Sequence, residues 1–320
     1  MKKFDVVALG ELLVDFTQNG LSKQGNLLFE ANPGGAPANV LAMLRKLGKT
    51  CAFMGKVGQD SFGDMLENTL CGVGIDTRAL LRDETVPTTL AIVHTLLGGD
   101  RDFSFYRKPG ADITLSVSDL DEVLLRSCRV FHFGSLSLTD EPCRSATYYA
   151  VRTAKESGAL ISFDPNLRPP LWSSMDDARR EISWGLSQCD VLKIADNEQL
   201  FLTGYEDFDV GAAALKEQYP NIRLLNVTAG ADGSHSYCGD LSVFEPACKL
   251  GGVIETTGAG DTFAAGFIAA LLEGRSFLDC GRYACAAASL CVEHVGAGGA
   301  WMREDALERW RAIKQIEPQG

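Results

Sequence analysis

The chain has 320 residues, of which 46% are hydrophobic and 22% are charged, and its formal net charge is −12 at pH 7. This composition is typical of a globular protein, and the acidic balance excludes the electrostatic surface that nucleic acids or anionic membranes require. No apolar run is long enough for a membrane span or placed as in a signal peptide. The ten cysteines include no C-x-x-C pair, which indicates free thiols in a reducing cytoplasm.

Short apolar runs typical of buried strands alternate with helical runs along most of the chain. The predicted strands are residues 6–9, 51–57, 130–133, 160–163, 191–194 and 224–227. The predicted helices are residues 38–47, 62–71, 141–157, 176–188 and 263–272. This alternation predicts an α/β fold in which a mostly parallel sheet carries helices on both faces.

Two further pairs of strand-like runs interrupt the alternation. Residues 88–97 and 101–107 are joined by a Gly-Gly-Asp segment, which is a hairpin signal. Residues 12–16 and 27–32 flank a polar segment and also have strand character. We predict that these four runs form a small antiparallel sheet apart from the core.

The first strand and the strand-like run 27–32 lead into segments that suit a polyhydroxylated ligand. Asp15 follows the first strand at its carboxyl end, where ligands bind in open α/β sheets, and its carboxylate can accept bonds from two hydroxyl groups. Gly34 and Gly35 allow the backbone to approach a ligand closely, and Asn39 lies one turn into the next helix. Taken singly, Asp15 fits a solvated loop better and the glycine pair fits a tight turn better than either fits a binding site.

Charged residues also follow two later strands. Arg168, in the segment 163–172, can offset charge that develops on a phosphoryl group, although a surface salt bridge is the plainer interpretation. Glu198, in the segment 193–198, has a structural alternative as well, because a carboxylate near a helix N-terminus is favoured by the helix dipole.

The segment 255–263, ETTGAGDTF, is the most informative of the chain. Gly258, Ala259 and Gly260 directly precede Asp261 at the start of a predicted helix. Free N–H groups at such a helix start favour anionic oxygens, and Asp261 is a base placed beside them. This arrangement predicts phosphoryl transfer, whereas a tight turn with close helix–sheet packing is the structural alternative.

Two other phosphate-binding patterns fail in this chain. The segment 48–50, GKT, resembles the end of a P-loop, but Met43 occupies the position of the required first glycine. The dinucleotide pattern G-x-G-x-x-G fails because Phe263 occupies the third glycine position. A nicotinamide-dependent oxidoreductase is therefore disfavoured.

Between Gly10 and about Ala297, these motifs resemble in order and spacing those of the ribokinase/PfkB sugar-kinase family. The matching segments are 10–15, 33–40, 103–112, 163–172, 193–198, 226–233 and 255–263. Within the family the chain is most similar to fructokinases, through residues 101–107, the pair Ala111-Asp112, and residues 164–172.

The resemblance implies a three-layer α/β/α sandwich with a mostly parallel sheet and a small β-sheet lid. The core would comprise residues 1–13, 34–87 and 110–320, and the lid residues 14–33 and 88–109. The lid would close over the sugar and form the contact of a homodimer. The implied reaction transfers the γ-phosphoryl group of MgATP to a sugar hydroxyl, which for fructose is the one on C6.

The resemblance also assigns roles to residues. Asp261 would accept the proton of the attacking hydroxyl, while the N–H groups of Gly258, Ala259 and Gly260, with Arg168, stabilise the transferred group. The implied sugar-binding residues are Asp15, Gly34, Gly35, Asn39, Tyr106, Arg107 and Asp261. The implied nucleotide-binding residues are Lys193, Thr228, Gly230, Gly233, Gly258 and Gly260.

Two metal sites follow from the resemblance, and the chain departs from both. Glu198 would hold hydrated Mg²⁺ near the phosphates, but Ala195 stands where the family has Asn, so Asp196 or Asn197 would have to substitute. A K⁺ site would involve Glu255, in place of the family's Asp, and Thr257. Because Ala300 also replaces a Ser, we expect a weakened K⁺ site built mainly from backbone carbonyls.

Three alternatives stay open at this point. The substrate could be 2-keto-3-deoxygluconate, ribose or a nucleoside instead of fructose, and Arg107 or Arg168 could face the carboxylate of an acid sugar. A sugar-binding or regulatory protein without catalysis would share the sugar pocket. The oxidoreductase is the third and least favoured.

Overall fold

The computed structural model describes residues 2–95, 101–294 and 301–316. Its strands are β1 (Phe4–Leu9), β2 (Leu13–Leu21), β3 (Leu27–Gly34), β4 (Cys51–Gly58), β5 (Asp76–Asp83), β6 (Leu90–Thr95), β7 (Arg101–Tyr106), β8 (Cys128–Gly134), β9 (Leu160–Asp164), β10 (Val191–Ala195), β11 (Leu224–Thr228), β12 (Gly233–Cys238) and β13 (Leu241–Pro246). All six predicted core strands are confirmed.

The helices cover the connections between these strands. They are α1 (Ala36–Lys46), α2 (Ser61–Gly72), α3 (Glu122–Arg126), α4 (Cys143–Glu156), α5 (Met175–Gln188), α6 (Asp196–Thr203), α7 (Phe208–Gln218), α8 (Ala259–Leu272), α9 (Phe277–Cys291) and α10 (Arg303–Ile316). The five predicted helices correspond to α1, α2, α4, α5 and α8. Within the described ranges, no helix is both long enough and apolar enough to cross a lipid bilayer.

The large sheet has nine strands in the order β13-β12-β11-β10-β9-β8-β1-β4-β5. The seven strands from β11 to β5 are parallel, and β12 and β13 add an antiparallel edge. Because parallel strands share a direction, their carboxyl ends meet at one edge of the sheet, where open α/β sheets bind ligands.

Helices cover both faces of this sheet, as the alternation of side chains along β1 illustrates. Val7 and Leu9 belong to a hydrophobic cluster that includes α4 and α5. Val6 and Ala8 point to the opposite face and belong to a cluster that includes α1, α8 and α9. The predicted three-layer sandwich is therefore confirmed.

The second sheet, the lid, has the strand order β3-β2-β6-β7. The pairs β2–β3 and β6–β7 are antiparallel, but β2 and β6 are parallel, so the prediction of a purely antiparallel sheet was wrong. Both strands leave the core for the lid and run side by side, with Val14 opposite Leu90. Phe16 contacts Phe62 of α2 edge to face, with 5.5 Å between ring centroids, which ties the lid to the core.

The lid strands span Leu13–Gly34 and Leu90–Tyr106, close to the predicted lid segments 14–33 and 88–109. The division of the chain into core and lid segments stays a prediction. Strand β2 continues to Leu21, into the segment predicted to be a polar connection. The predicted hairpin turn at residues 98–100 lies outside the described residues.

Candidate active site

A cavity of about 370 Å³ lies between the lid and the carboxyl edge of the large sheet. The lid contributes Leu13, Asp15, Thr17, Glu30, Asn32, Val93 and Phe105. The core contributes Glu11, Gly35, Ala36, Asn39, Leu136, Asn166, Arg168, Lys193, Glu255, Thr256, Thr257, Gly258, Gly260 and Asp261. The predicted acceptor-side and catalytic residues thus meet largely in one place.

The start of α1 forms one wall of the cavity. Gly35 is the N-cap of α1 and has φ 115°, a conformation that L-residues rarely adopt. A Cβ at Gly35 would collide with the carbonyl oxygen of Glu11, so the helix can begin this close to β1 only with glycine. Gly34 is buried, and a Cβ there would collide with the Asp15 carboxylate. Gly34 therefore makes room for Asp15 and does not itself line the cavity.

The start of α8 forms the opposite wall. Gly258 is its N-cap in the left-handed conformation, with φ 77°, and Asp261 lies in the first turn. The N–H of Ala259 donates to the Thr256 carbonyl, with an N–O distance of 3.2 Å. Since Ala259 does not line the cavity, the predicted cradle of three N–H groups narrows to those of Gly258 and Gly260.

Asp261 lines the cavity and receives a hydrogen bond from an amide, not from a cation. The Nδ2 of Asn39 donates to its Oδ2 over 2.8 Å, so Asn39 orients the carboxylate besides facing the cavity itself. Burial raises the pKa of Asp261 to about 6, and the nearby Asp164 carboxylate adds to the rise. The Asn39 hydrogen bond and the charges of Lys193 and Arg168 oppose it. Asp261 is therefore ionised at neutral pH and more basic than an ordinary Asp.

This pKa predicts the pH profile of catalysis. Only the ionised carboxylate accepts a proton, so kcat at saturating fructose should rise about tenfold per pH unit below pH 6 and level off above it. Asp164→Asn removes a charge that raises the pKa, so its profile should bend at a lower pH. Initial rates from pH 4.5 to 8.5 measure both bends. An Asp164→Asn profile displaced upward would contradict this electrostatic account.

Lys193 supplies a cation beside the start of α8. Its Nζ is 3.0 Å from Oδ2 of Asp164, and both side chains are buried. Burial opposes the charge, but Asp164 and Glu198 outweigh it and raise the pKa of Lys193. The Nζ also lies 3.0 Å from the position that a Cβ of Gly260 would occupy. Lys193 is thus a fixed ammonium group at the predicted phosphoryl position.

The loop after β9 brings two more polar side chains to the cavity. Asn166 adopts a left-handed backbone conformation, with φ 48°. Arg168 donates from Nη1 to the Leu167 carbonyl over 3.2 Å and lowers the pKa of Asp261 through its charge. Arg168 therefore lies in the cavity close enough for its charge to act on Asp261, and its role at the transferred group stays a prediction.

Glu198 holds the loop after β9 in place through a hydrogen bond to its backbone. Its Oε1 accepts the N–H of Leu167 over 2.7 Å, and its Oε2 accepts the N–H of Ala195 over 2.8 Å. Burial raises the pKa of Glu198, and the Asp164 charge adds to the rise. Each oxygen accepts one backbone bond and keeps a further lone pair, so these bonds alone do not decide between direct coordination of a metal and contact through water. The predicted contact to Mg²⁺ through water stays a prediction.

Glu255 and Thr257 line the cavity and contact each other. The Thr257 hydroxyl donates to Oε1 of Glu255 over 2.6 Å. Ala300, the third residue of the predicted K⁺ site, lies outside the described residues. In the part of the chain that the structure describes, no group of three or more His, Cys, Asp or Glu could hold a metal ion.

Two predicted sugar contacts from the end of the lid are corrected. Tyr106 is 66% exposed and does not line the cavity, whereas its neighbour Phe105 does. Successive residues of a strand face opposite ways, so only one of the two can reach the sugar. Arg107 is buried behind the cavity. It donates to Asp112 over 2.8 Å, to the Thr139 hydroxyl and to the Leu136 carbonyl.

Three predicted nucleotide-binding residues do not line this cavity. Thr228 donates through its hydroxyl to the Ile194 carbonyl over 3.3 Å. Gly230 and Gly233 have positive φ angles, and a Cβ at Gly233 would collide with the Glu245 carbonyl oxygen. The β12–β13 hairpin therefore requires the Gly233 position to be glycine whether or not a nucleotide binds. A nucleotide contact for these residues stays a prediction.

Several lining residues were not assigned from the sequence. They are Glu11, Thr17, Glu30, Asn32, Phe105 and Asn166. Thr17 could have been predicted, because alternate residues of a strand face the same side and Thr17 lies two residues after Asp15. Asn32 and Glu30 pair with Asp15 and Thr17 across β2 and β3, a register that the sequence does not specify.

The fold and the cavity together define a ribokinase-like phosphotransferase that uses an alcohol group as acceptor. A model of the pfkB family of carbohydrate kinases matches residues 3–303. The chain belongs to this family.

Curated relatives resemble the chain over most of its length. "Probable fructokinase-6, chloroplastic" of Arabidopsis thaliana is 43% identical over 275 residues, which cover 85% of this chain and 71% of that protein. Fructokinase-2 of Solanum lycopersicum is 38% identical over 305 residues, which cover 91% of each chain.

Solved structures agree with the fold over nearly the whole chain. Fructokinase from Xylella fastidiosa with bound ATP superposes with a TM-score of 0.88 at 30% identity, covering 99% of this chain and 100% of that one. Fructokinase from Vibrio cholerae O395 with fructose, ADP and calcium gives 0.82 at 32% identity, covering 93% and 96%. A double mutant of the Vibrio enzyme with fructose, ADP and potassium gives 0.83 at 31% identity, covering 94% and 96%.

Proposed function

We propose that this protein is a fructokinase, which transfers the γ-phosphoryl group of ATP to the C6 hydroxyl of fructose. The observation that carries the proposal is the position of Asp261, a basic carboxylate at the start of α8, inside a cavity that the lid covers. The fructokinase relatives, at 38–43% identity, support fructose as the acceptor.

The reaction needs four functions from the chain. Asp15, on the lid side of the cavity, and Asn39 hold sugar hydroxyls. Asp261 takes the proton of the attacking sugar hydroxyl. At the same time the hydroxyl oxygen bonds to the γ-phosphorus, and the bond between this phosphorus and ADP breaks. The N–H groups of Gly258 and Gly260, with Lys193 and Arg168, stabilise charge on the transferred group. Water is kept out by the lid, so ATP is not hydrolysed.

We also propose that ATP binds as its Mg²⁺ complex, in which the metal neutralises phosphate charge. A Vibrio fructokinase structure contains calcium with ADP, which is consistent with a divalent site. Glu198 lies under the loop of Arg168 and would act through water. Asp196 and Asn197, next to Ala195, stay candidates for the missing Asn of the family motif.

A weakened K⁺ site predicts modest activation by K⁺. Glu255 and Thr257 line the cavity, but the Thr257 hydroxyl already donates to Glu255. The rate in KCl should therefore exceed the rate in tetramethylammonium chloride, at equal ionic strength, by only a few-fold. The measurement compares kcat in the two salts, and equal rates would mean that no functional site exists.

We propose a homodimer formed through the outer face of the lid. Leu21, Leu27 and Phe29 are exposed on β2 and β3, and Tyr106 is exposed at the end of β7. Such a group of apolar side chains is typical of an interaction surface. Sedimentation velocity of the wild type and of Phe29→Asp tests the dimer, because the charge should dissociate it.

The other sugars of the family form the alternative. Glu11, Asp15 and Glu30 line the acceptor side of the cavity, which disfavours an acid sugar such as 2-keto-3-deoxygluconate. ADP release should be measured with fructose, ribose, 2-keto-3-deoxygluconate, tagatose and several nucleosides. Fructose should give the highest kcat/KM. A protein that binds sugar but releases no ADP with any of them would be a binding or regulatory protein.

We propose the cytoplasm as the compartment. All ten cysteines are free thiols, and seven of them are buried. A chain that keeps this many thiols unpaired suits a reducing environment.

A further inference from the structure

Glu11 is a buried carboxyl group at the base of the cavity that the reaction described above does not use. It is 2% exposed and lies between β1 and β2, where the chain passes from the core into the lid. It lines the cavity together with Asp15 and Asn39. Burying an ionisable group costs folding free energy unless the group has hydrogen-bond partners. The partners of Glu11 therefore indicate its role.

One oxygen of Glu11 has a structural partner and the other has none. Oε1 accepts the N–H of Ala36 over 2.9 Å, which satisfies a free donor in the first turn of α1. Oε2 is buried and has no hydrogen-bond partner among residues 2–95, 101–294 and 301–316. The bond to Ala36 fixes the plane of the carboxyl group, so Oε2 is a preoriented acceptor.

Arg107 is the cation whose charge acts on Glu11, but it does not donate a hydrogen bond to Oε2. Burial raises the pKa of Glu11 to about 7, and the backbone N–H of Glu11 itself and the charge of Arg107 oppose this rise. The hydrogen bonds that the guanidinium donates go to Asp112, Thr139 and Leu136. Oε2 thus has no hydrogen-bond donor among the described residues, and a polyol bound in the cavity that Glu11 lines carries such donors.

We propose that Glu11 is a specificity-determining residue, whose Oε2 accepts a hydrogen bond from a non-reacting hydroxyl of the acceptor sugar. The proposal rests on the proposed sugar-kinase function. Glu11 on the core side and Asp15 on the lid side would then hold the polyol between two carboxylates. This arrangement favours neutral sugars over acid sugars, because a third carboxylate would be repelled.

The test compares wild type with Glu11→Gln. Glutamine keeps an oxygen for the Ala36 N–H but can place an amide donor where Oε2 accepts. The KM for fructose and the calorimetric Kd for fructose should rise about 10- to 100-fold, the size of a lost hydrogen bond to a charged group. We expect kcat to change less than about fivefold and the KM for ATP to stay within twofold.

Deoxy sugars identify the contact itself. 1-Deoxy-, 3-deoxy- and 4-deoxyfructose each lack one hydroxyl that does not react. In the wild type, the analogue that lacks the contacted hydroxyl should lose kcat/KM. In Glu11→Gln, kcat/KM for the same analogue should equal kcat/KM for fructose. The effects of the substitution and of the missing hydroxyl are then non-additive for this hydroxyl and additive for the others.

Glu181→Gln is the matched control. Glu181 is also buried, but its partners are Tyr148, Arg144 and Arg180, all outside the cavity. This variant should lower Tm without changing the KM for fructose.

Two results for Glu11→Gln would overturn the proposal. One is a KM and a Kd for fructose within twofold of wild type. The other is a loss that is equal for fructose and all analogues and accompanies a fall in Tm, which would make Glu11 only a helix cap. A wild type that binds fructose without releasing ADP would instead contradict the kinase function, and the Kd comparison would still decide the contact. A wild type that neither binds nor turns over fructose would overturn both.

Discussion

The Asp261→Asn variant should lose about two to four orders of magnitude in kcat, the contribution of a general base to proton transfer. Asparagine has nearly the same size as aspartate and keeps an oxygen that can accept the hydrogen bond from Asn39. It cannot take up the proton of the attacking hydroxyl. The loss should therefore appear in kcat, while the calorimetric affinity for ATP stays close to that of the wild type.

The stability of the same variant separates a catalytic role from a structural one. Burial raises the pKa of Asp261 from its ordinary value of 3.8 to about 6, so its ionisation lowers stability as the pH rises through this interval, and the full cost is present above pH 6. At pH 8 the Asn variant should thus have a Tm equal to or above that of the wild type. Near-normal turnover would rule Asp261 out as the base. A low Tm together with low turnover would point to misfolding instead.

This opposition between stability and activity is visible in the surroundings of Asp261. A second carboxylate, that of Asp164, raises its pKa, and a stable core would not place two buried carboxylates close together without reason. The Nζ of Lys193 lies 3.0 Å from Asp164, and its positive charge reduces the repulsion between the two carboxylates. The arrangement costs stability and yields a carboxylate whose pKa is close to the pH of the cell.

The parts of the fold that local pattern determines were predictable. Each of the six predicted core strands is an apolar run that is buried on both faces, so its signal did not depend on the rest of the chain. The start of α8 was predictable for the same reason, because Gly258 and Asp261 are adjacent in sequence and the left-handed turn needs glycine. Strand β5 was missed because it lies at an edge of the sheet and carries polar residues.

The parts that depend on pairing between distant segments were not predictable. The alternation on β7 indicated two faces, but only the pairing with β6, with Phe105 opposite Ala91, assigns Phe105 to the cavity and Tyr106 to the outside. The Ala259 N–H was expected to face an anion. It donates instead to the Thr256 carbonyl, because the geometry of the turn brings this carbonyl close to it. The role of Arg107 changed because its partners come from segments up to 32 residues away in sequence.

Replacing Arg107 by Met should lower the free energy of unfolding by about 3–5 kcal/mol, the cost of leaving a buried charge without its partner. Its Nη2 lies 2.6 Å from Oδ2 of Asp112, and the two side chains are only 3% and 2% exposed. The hydroxyl of Thr89 donates to the other oxygen of Asp112 over 2.5 Å. Urea unfolding at pH 8 measures the loss.

The double variant Arg107→Met/Asp112→Leu distinguishes the charge from the packing. With both charges removed, most of the lost stability should return, because apolar side chains of similar volume often replace a buried ion pair without loss. A single variant that loses less than about 1 kcal/mol, or a double variant no more stable than the single one, would contradict this account. Thr89 directly precedes β6 and Arg107 directly follows β7, so this ion pair joins both ends of the lid hairpin to the core. The single variant should therefore also raise the KM for fructose, since a lid whose base is loosened closes less readily over the sugar.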